Sequence, residues 1–451
     1  MKLPDMKKAT TLIAGMLLAI IITAQAIPEK MEGLAKAYAE NGKFNGVLLV
    51  TQKGKVIYTG ALGYKDAVNK IPHEAADIFQ IGSITKQITA AVIMQLQEEK
   101  KLSVTDKLSS YFPDLPNSDK ITIEHLLTHT SGLYNYTKDP KVMKADVTRH
   151  YSSAEMLAVF KEYKPDFEPG EKWNYSNTAY SVLGYVIEKV TGKPYERVVR
   201  ERIFAPLSMT QSGFDFTHLA SPAKSKGYFS LAGSTPVAAP VVDSTIAYSA
   251  GAVYSTVTDL AKWERAVTEG RLLKPESWKK VFTPQKNKYG YGWTIDTAFG
   301  RAFTAHSGGI HGFSSYLMRF PQDELAIIIL DNASSSQLSK ISTGLAAIVY
   351  NQPYEVPAKR KEIPLPKEVL SKYVGEYQLT PEFSIKVTLD GDELKAQATG
   401  QPQFAIYAER ENFFFLKVVD AQLEFIKDEK GTVTALILHQ NGAKQKGTKK
   451  N

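Results

Sequence analysis

The chain has 451 residues, 43% of them apolar and 23% charged, a composition that excludes wholesale disorder and leaves room for one to three domains. It contains no cysteine, which excludes a thiol nucleophile, a disulfide framework, a thiolate metal site and a lipidated N-terminal cysteine. Its formal charge of +8, from 55 Lys and Arg against 47 Asp and Glu, is too small on this length to indicate nucleic acid; part of it is local, in the cluster Lys359, Arg360 and Lys361 and in a tail of Lys444, Lys446, Lys449 and Lys450.

Residues 1–26 read as a secretory signal peptide. Lys2, Lys7 and Lys8 supply a basic start, residues 11–23 an apolar run of thirteen, and Ala24-Gln25-Ala26 a cleavage site. The run is shorter than the roughly 20 residues that span a bilayer, so the expectation is a secreted or periplasmic protein beginning near Ile27, with no membrane span after cleavage. From residue 27 to 352 strands and helices mix. Runs 45–52 and 55–60 flank Lys53-Gly54, a hairpin signature. Residues 78–82 lead into a helix over 83–99 that is apolar on most sides and therefore buried. A second helix over 178–190 carries Ala179, Val182, Leu183, Val186, Ile187 and Val190 at 3–4 spacing, stopped by Gly192 and Pro194. Runs 314–320 and 325–330 read as paired strands and 338–350 as a closing helix. Strands at both ends of the unit predict one sheet built from both. A Pro-rich and basic linker covers 353–369. From 370 to 451 about seven short runs of period two, separated by turns such as Asp390-Gly391-Asp392, predict an all-β, barrel-like module whose aromatics fill its core.

The residues that carry chemistry fall in three places. Ser83 and Lys86, in Ser-Ile-Thr-Lys, lie three apart at a helix start, on one face and within reach of each other. The helix end favours an oxyanion there, and a lysine in an apolar setting loses its charge and activates the hydroxyl. Tyr175-Ser176-Asn177 precedes the second helix. A phenol is a general base if a nearby cation lowers its pKa, and Lys86 is the natural cation. Asn177 offers a donor and an acceptor, either to a substrate amide or to Lys86. His306-Ser307-Gly308-Gly309 follows the aromatic run 289–293 (YGYGW). Glycines at a strand edge let a substrate backbone approach, and the N–H groups of Gly309 and Ser83 form an oxyanion hole. His306 donates either to the intermediate or to a substrate acid.

The order S-x-x-K, Y-x-N, [KH]-[ST]-G, with steps of 92 and 131 residues, resembles the serine β-lactamases and penicillin-binding proteins, and the Tyr version looks like class C. Further similar stretches are IFQIGSITKQITAAVIMQL (78–96), ITIEHLLTHTSGL (121–133), FEPGEKWNYSNTAYSVLG (167–184) and SAGAVYSTVTDLAKW (249–263). The resemblance implies an α/β (α+β) domain with an antiparallel five-stranded sheet and a helical region, the site between them. It implies an acyl-enzyme on Ser83, proton transfer by Lys86 and Tyr175, and substrate binding by Asn177, His306, Ser307, Gly308 and Gly309, without metal or cofactor. The β-rich end resembles the lipocalin-like modules appended to some of these hydrolases. Lysine usually opens the third motif in β-lactamases and carboxypeptidases; His306 is similar to relatives that act on esters, amides or D-amino-acid peptides. A histidine, charged only part of the time near neutral pH, is a poor anchor for a β-lactam carboxylate. The expected substrate is therefore a small molecule or peptide, including peptidoglycan-derived ones. Alternatives are a carboxylesterase on the same residues and a sensor that is acylated without turnover. His125 and His129 stand four apart, as in a metal-binding helix face, but H-E-x-x-H is absent, as are G-x-S-x-G, P-loop and dinucleotide fingerprints.

Overall fold

The computed structural model describes residues 27–451 apart from 145–146, 232–234, 336, 358–359, 418, 420, 441–442 and 451. The proposed signal segment lies outside the described residues. The chain forms two compact units, which meet in sequence between Val356 and Pro357.

In the first unit, Lys53 and Gly54 both take positive φ, the geometry that folds β1 (Gly46–Gln52) tightly onto β2 (Lys55–Leu62). The later strands are β3 (Thr294–Ala298), β4 (Arg301–Ile310), β5 (Phe313–Phe320) and β6 (Leu325–Asp331). They complete an antiparallel sheet in the order β2-β1-β6-β5-β4-β3, so early and late segments share one sheet. It has six strands where the resemblance implies five. The additional edge strand is β3, whose mixed, half-buried side chains give little hydrophobic signal.

β1 and β6 carry continuous apolar runs, residues 47–50 and 325–330, because helices cover both faces. Leu48 and Val50 of β1, with Ile327 and Ile329 of β6, pack toward the helix over residues 27–40 and toward the closing helix Leu338–Val349. Val47, Leu49, Ile328 and Leu330 alternate to the other face, into a larger core with the helices α1 (Thr85–Glu98), α2 (Asn177–Thr191) and α3 (Val257–Thr268). α1 is buried from Thr85 to Met94, Lys86 and Gln87 included, and so is enclosed on nearly every side.

The second unit is a closed barrel of eight antiparallel strands: β7 (Gly375–Thr380), β8 (Phe383–Asp390), β9 (Glu393–Ala398), β10 (Gln403–Arg410), β11 (Phe413–Phe415), β12 (Ala421–Lys427), β13 (Val433–Gln440) and β14 (Ala443–Lys449). Its interior is filled by side chains, Tyr373, Tyr377, Phe414 and Phe425 among them, each fully buried. Lys444, Lys446 and Lys449 are on the closing strand β14 rather than in a free tail. Among the described residues no helix is long and apolar enough to cross a membrane.

Candidate active site

Ser83 sits in a single 3-10 turn, Gly82–Ile84, that runs into α1 at Thr85. Backbone N–H groups in such a first turn have no intrahelical acceptor. The turn presses against β4. A Cβ on Gly82, whose φ is +51°, would come within 2.7 Å of the Gly309 nitrogen, so a side chain there would drive the nucleophile turn off the strand. β3 pairs with β4 only as far as Ala305, which leaves residues 306–310 as a free edge beside Ser83. Ser315 Oγ, on the neighbouring β5, donates to the Ile81 carbonyl at 2.7 Å and ties the turn to the sheet.

The spacing within Ser-Ile-Thr-Lys brings Lys86 Nζ to 3.0 Å from Ser83 Oγ. Nζ also reaches Asn177 Oδ1 at 2.8 Å and the Ala250 carbonyl at 2.7 Å. Both of these oxygens only accept. The amine's two hydrogens go to them, and its lone pair is left facing the Ser83 hydroxyl. Lys86 is fully buried, and burial pushes its pKa well below the usual lysine range, which favours that uncharged form.

Tyr175 places its hydroxyl 2.7 Å from Ser83 Oγ on the other side. It lies just before the N-cap of α2, Ser176, whose Oγ accepts from the Ala179 N–H. Burial raises the Tyr175 pKa, with the Ser83 hydrogen bond a smaller opposing effect. The phenol lowered by Lys86 that the sequence suggests is therefore not the resting state: burial outweighs the Ser83 hydrogen bond, and Lys86 itself is held well below the usual lysine range. Asn177 serves Lys86, its Nδ2 donating to Thr137 Oγ1 at 3.1 Å.

His306 corrects the sequence expectation of a half-charged imidazole open to substrate. Its Nδ1–H donates to the Ser307 carbonyl at 2.6 Å, and its Nε2 accepts from the Tyr289 hydroxyl at 2.8 Å. Burial pushes its pKa down to about 3, so the ring is neutral at physiological pH. Ser307 is exposed on the strand. Gly308 packs under the nucleophile turn, where a Cβ would meet the Ile81 carbonyl at 2.1 Å. Gly309 has open space beside it and lines a cavity of about 560 Å³ together with Ser83 and Asn177.

Two residues outside the expected set complete the surroundings. His129 is fully buried with its ring 4.3 Å from that of Tyr175, and its Nδ1 accepts from the Ser176 N–H at 3.2 Å. Burial holds it far below the usual histidine range. Tyr289 stands against both His129 and His306. His125 does not share a helix face with His129: it closes a capping box with Thr122 at the start of the short helix Ile123–Leu127.

Residues 26–349 match the Beta-lactamase family model, and residues 359–449 match a Domain of unknown function (DUF3471). Penicillin-binding protein 4* of Bacillus subtilis is 27% identical over 447 residues, covering 93% of this chain and 98% of its own. The octameric penicillin-binding protein homologue from Pyrococcus abyssi superposes with a TM-score of 0.65 at 26% identity, over 93% of this chain and 99% of its own. A D-stereospecific amidohydrolase from Streptomyces sp. superposes with a TM-score of 0.62 at 29% identity, over 72% of this chain and 98% of its own. The chain belongs to the Beta-lactamase family and is a serine hydrolase of the β-lactamase/DD-peptidase type.

Proposed function

We propose that the protein is an exported hydrolase of D-amino-acid amides or peptides that works through an acyl-enzyme on Ser83. One observation carries this reading: Ser83 Oγ lies 3.0 Å from Lys86 Nζ and 2.7 Å from the Tyr175 hydroxyl, between a proton acceptor and a proton donor. In acylation the Ser83 proton passes to the Lys86 amine as Oγ attacks the carbonyl. The N–H groups of Ser83 and Gly309 receive the oxyanion. As the C–N bond breaks, Tyr175 gives its proton to the leaving nitrogen, and the phenolate is held by the new Lys86 ammonium, 4.8 Å from its ring centre. In deacylation the phenolate takes a proton from the attacking water, the ester bond breaks, and Ser83 recovers its proton from Lys86. Asn177 holds Lys86 in place throughout.

The D-amino-acid choice is supported by the likeness to the Streptomyces amidohydrolase and by His306 in place of lysine, which leaves a β-lactam carboxylate without a cation there. The test is the purified protein against D- and L-amino-acid amides, nitrocefin and p-nitrophenyl esters, with Ser83→Ala as control. Turnover of D-amides, their acyl mass on the Ser83 peptide and loss of both in Ser83→Ala are expected. Ester turnover alone favours a carboxylesterase, and acylation without release favours a sensor. Export is read from residues 1–26; N-terminal sequencing of the protein outside the cytoplasm is expected to begin at Ile27, and an uncut cytoplasmic chain overturns it.

A further inference from the structure

We propose that the cavity beside Ser83 selects acyl groups that are apolar and carry no charge at either end, so that blocked amino-acid amides and neutral esters are used in preference to substrates bearing a free carboxylate or ammonium. This rests on the acyl-enzyme reading above and adds the chemical class of the substrate.

The walls are Tyr136, Val147, Val242, Ile246, Ala250 and Phe313, each buried against the main core. Thr137, Ser314, Ser334 and Ser335 add hydroxyls, which donate or accept but hold no charge. Among the described lining residues there is no Asp, Glu, Lys or Arg. The titratable groups are Tyr136, a phenol whose pKa burial raises, and His311, whose ring stands edge-on to Phe229 and whose pKa burial pushes below the usual histidine range, away from a charged form. His306 does not line the cavity, and both its ring nitrogens are already bonded within the protein. A carboxylate or ammonium entering this space leaves water without gaining a counter-charge, a loss that burial makes large. A volume near 560 Å³ accommodates a phenyl-sized side chain with its blocking group.

The experiment compares three p-nitroanilides of D-phenylalanine at pH 6.5: N-acetyl (neutral), N-succinyl (carboxylate) and unblocked (ammonium). The N-acetyl compound is expected to exceed both others in kcat/KM by about 100-fold, the scale on which an apolar pocket discriminates against an added polar group. Because an anilide is a demanding substrate, Ser83 is also labelled with two fluorophosphonates that differ only in an uncharged or a carboxylate tail, the adduct being located by peptide mass spectrometry. The uncharged probe is expected to label at least about tenfold faster. Phe229→Lys, a change at an exposed position of the wall, is expected to narrow the gap for the carboxylate compounds. Equal or faster reaction of the charged compounds overturns the proposal. No adduct on Ser83 with either probe overturns the acyl-enzyme reading, and the pocket reading with it.

Discussion

Lys86 directs both amine hydrogens at carbonyl oxygens, so a proton leaving Ser83 meets a lone pair rather than a cation. Tyr175, held protonated by burial, then has a single productive task in acylation, giving its proton to the leaving group. Tyr175→Phe keeps the ring against His129 and removes only the hydroxyl. It is expected to lower kcat by about 10²–10⁴-fold with KM little changed, measured by steady-state kinetics on a D-amino-acid amide; an unchanged kcat removes Tyr175 from the proton path. A second expectation follows from His306. With a pKa near 3 it keeps one protonation state from pH 6 to 8, so the pH profiles of kcat/KM for a matched acidic and neutral substrate run parallel. A KM that rises with pH only for the acid shows instead that His306 carries charge to the substrate. Ser83, Lys86, Tyr175 and Asn177 were legible because their relation is local or anchored at a helix start. The state of His306 was not, because the Tyr289 hydroxyl and the burial that neutralise the ring come from a segment 17 residues away. His129 and Tyr289 lie within the family-like stretches HLLTHTSGL and YGYGW; nothing in their spacing says that both rings meet Tyr175's surroundings.

Elements with a strong period were legible, and polar ones were not. α2 runs one residue further at each end than the expected 178–190 and is closed by Gly192, the expected stop, in the left-handed conformation. β14, the sequence AKQKGTK, offers no apolar alternation, and Gly447 is the one position it buries. Its place in the barrel is dictated by hydrogen bonding to β13 and β7, a long-range closure that composition does not encode. A different tie joins β5 to α3. Arg319 donates from Nε to Glu264 at 3.1 Å and from a terminal nitrogen to Thr268 at 2.7 Å, with both charged side chains almost wholly buried. The guanidinium also stands over the rings of Phe282 and Trp293. Removing one partner leaves a buried charge unpaired, which costs more than the pair itself contributes. Glu264→Gln is expected to destabilise the first unit by about 3 kcal/mol, and the double change Glu264→Leu, Arg319→Met by less, both read by urea denaturation. A loss in Glu264→Gln no greater than in the double variant contradicts the assignment.

At the scale of the whole molecule, the two units have separate cores, and the sequence provides a way to watch one alone. All four tryptophans, Trp173, Trp263, Trp278 and Trp293, precede residue 352, so tryptophan fluorescence reports the catalytic unit and not the barrel. That unit also holds His129 and His306, both fully enclosed and both with pKa values lowered by burial, whereas the barrel segment holds one histidine, the half-buried His439. The sign follows from proton counting. Below pH 6.5 the unfolded chain binds protons at these histidines that the folded one refuses, so their contribution to stability falls as pH drops from 6.5 toward 3. At pH 5 the unfolded state is favoured by about 2 kcal/mol for His306, at 1.36 kcal/mol per unit, with His129 adding in the same direction. Asp331, buried in the same unit with its pKa raised to about 8, works in the opposite sense, because its folded form takes up a proton as pH falls below 8. Urea titrations followed by tryptophan fluorescence at pH 7.5, 6 and 5 are therefore read as the difference between the wild type and His306→Gln, which cannot titrate; below pH 6.5 the midpoint of the wild type is expected to drop relative to that of the variant, whatever their offset at pH 7.5. A difference that is constant from pH 7.5 to 5 shows that the His306 imidazole is as free to charge in the folded protein as in water. That result removes the basis for a neutral His306 and returns a cation to the edge of the site.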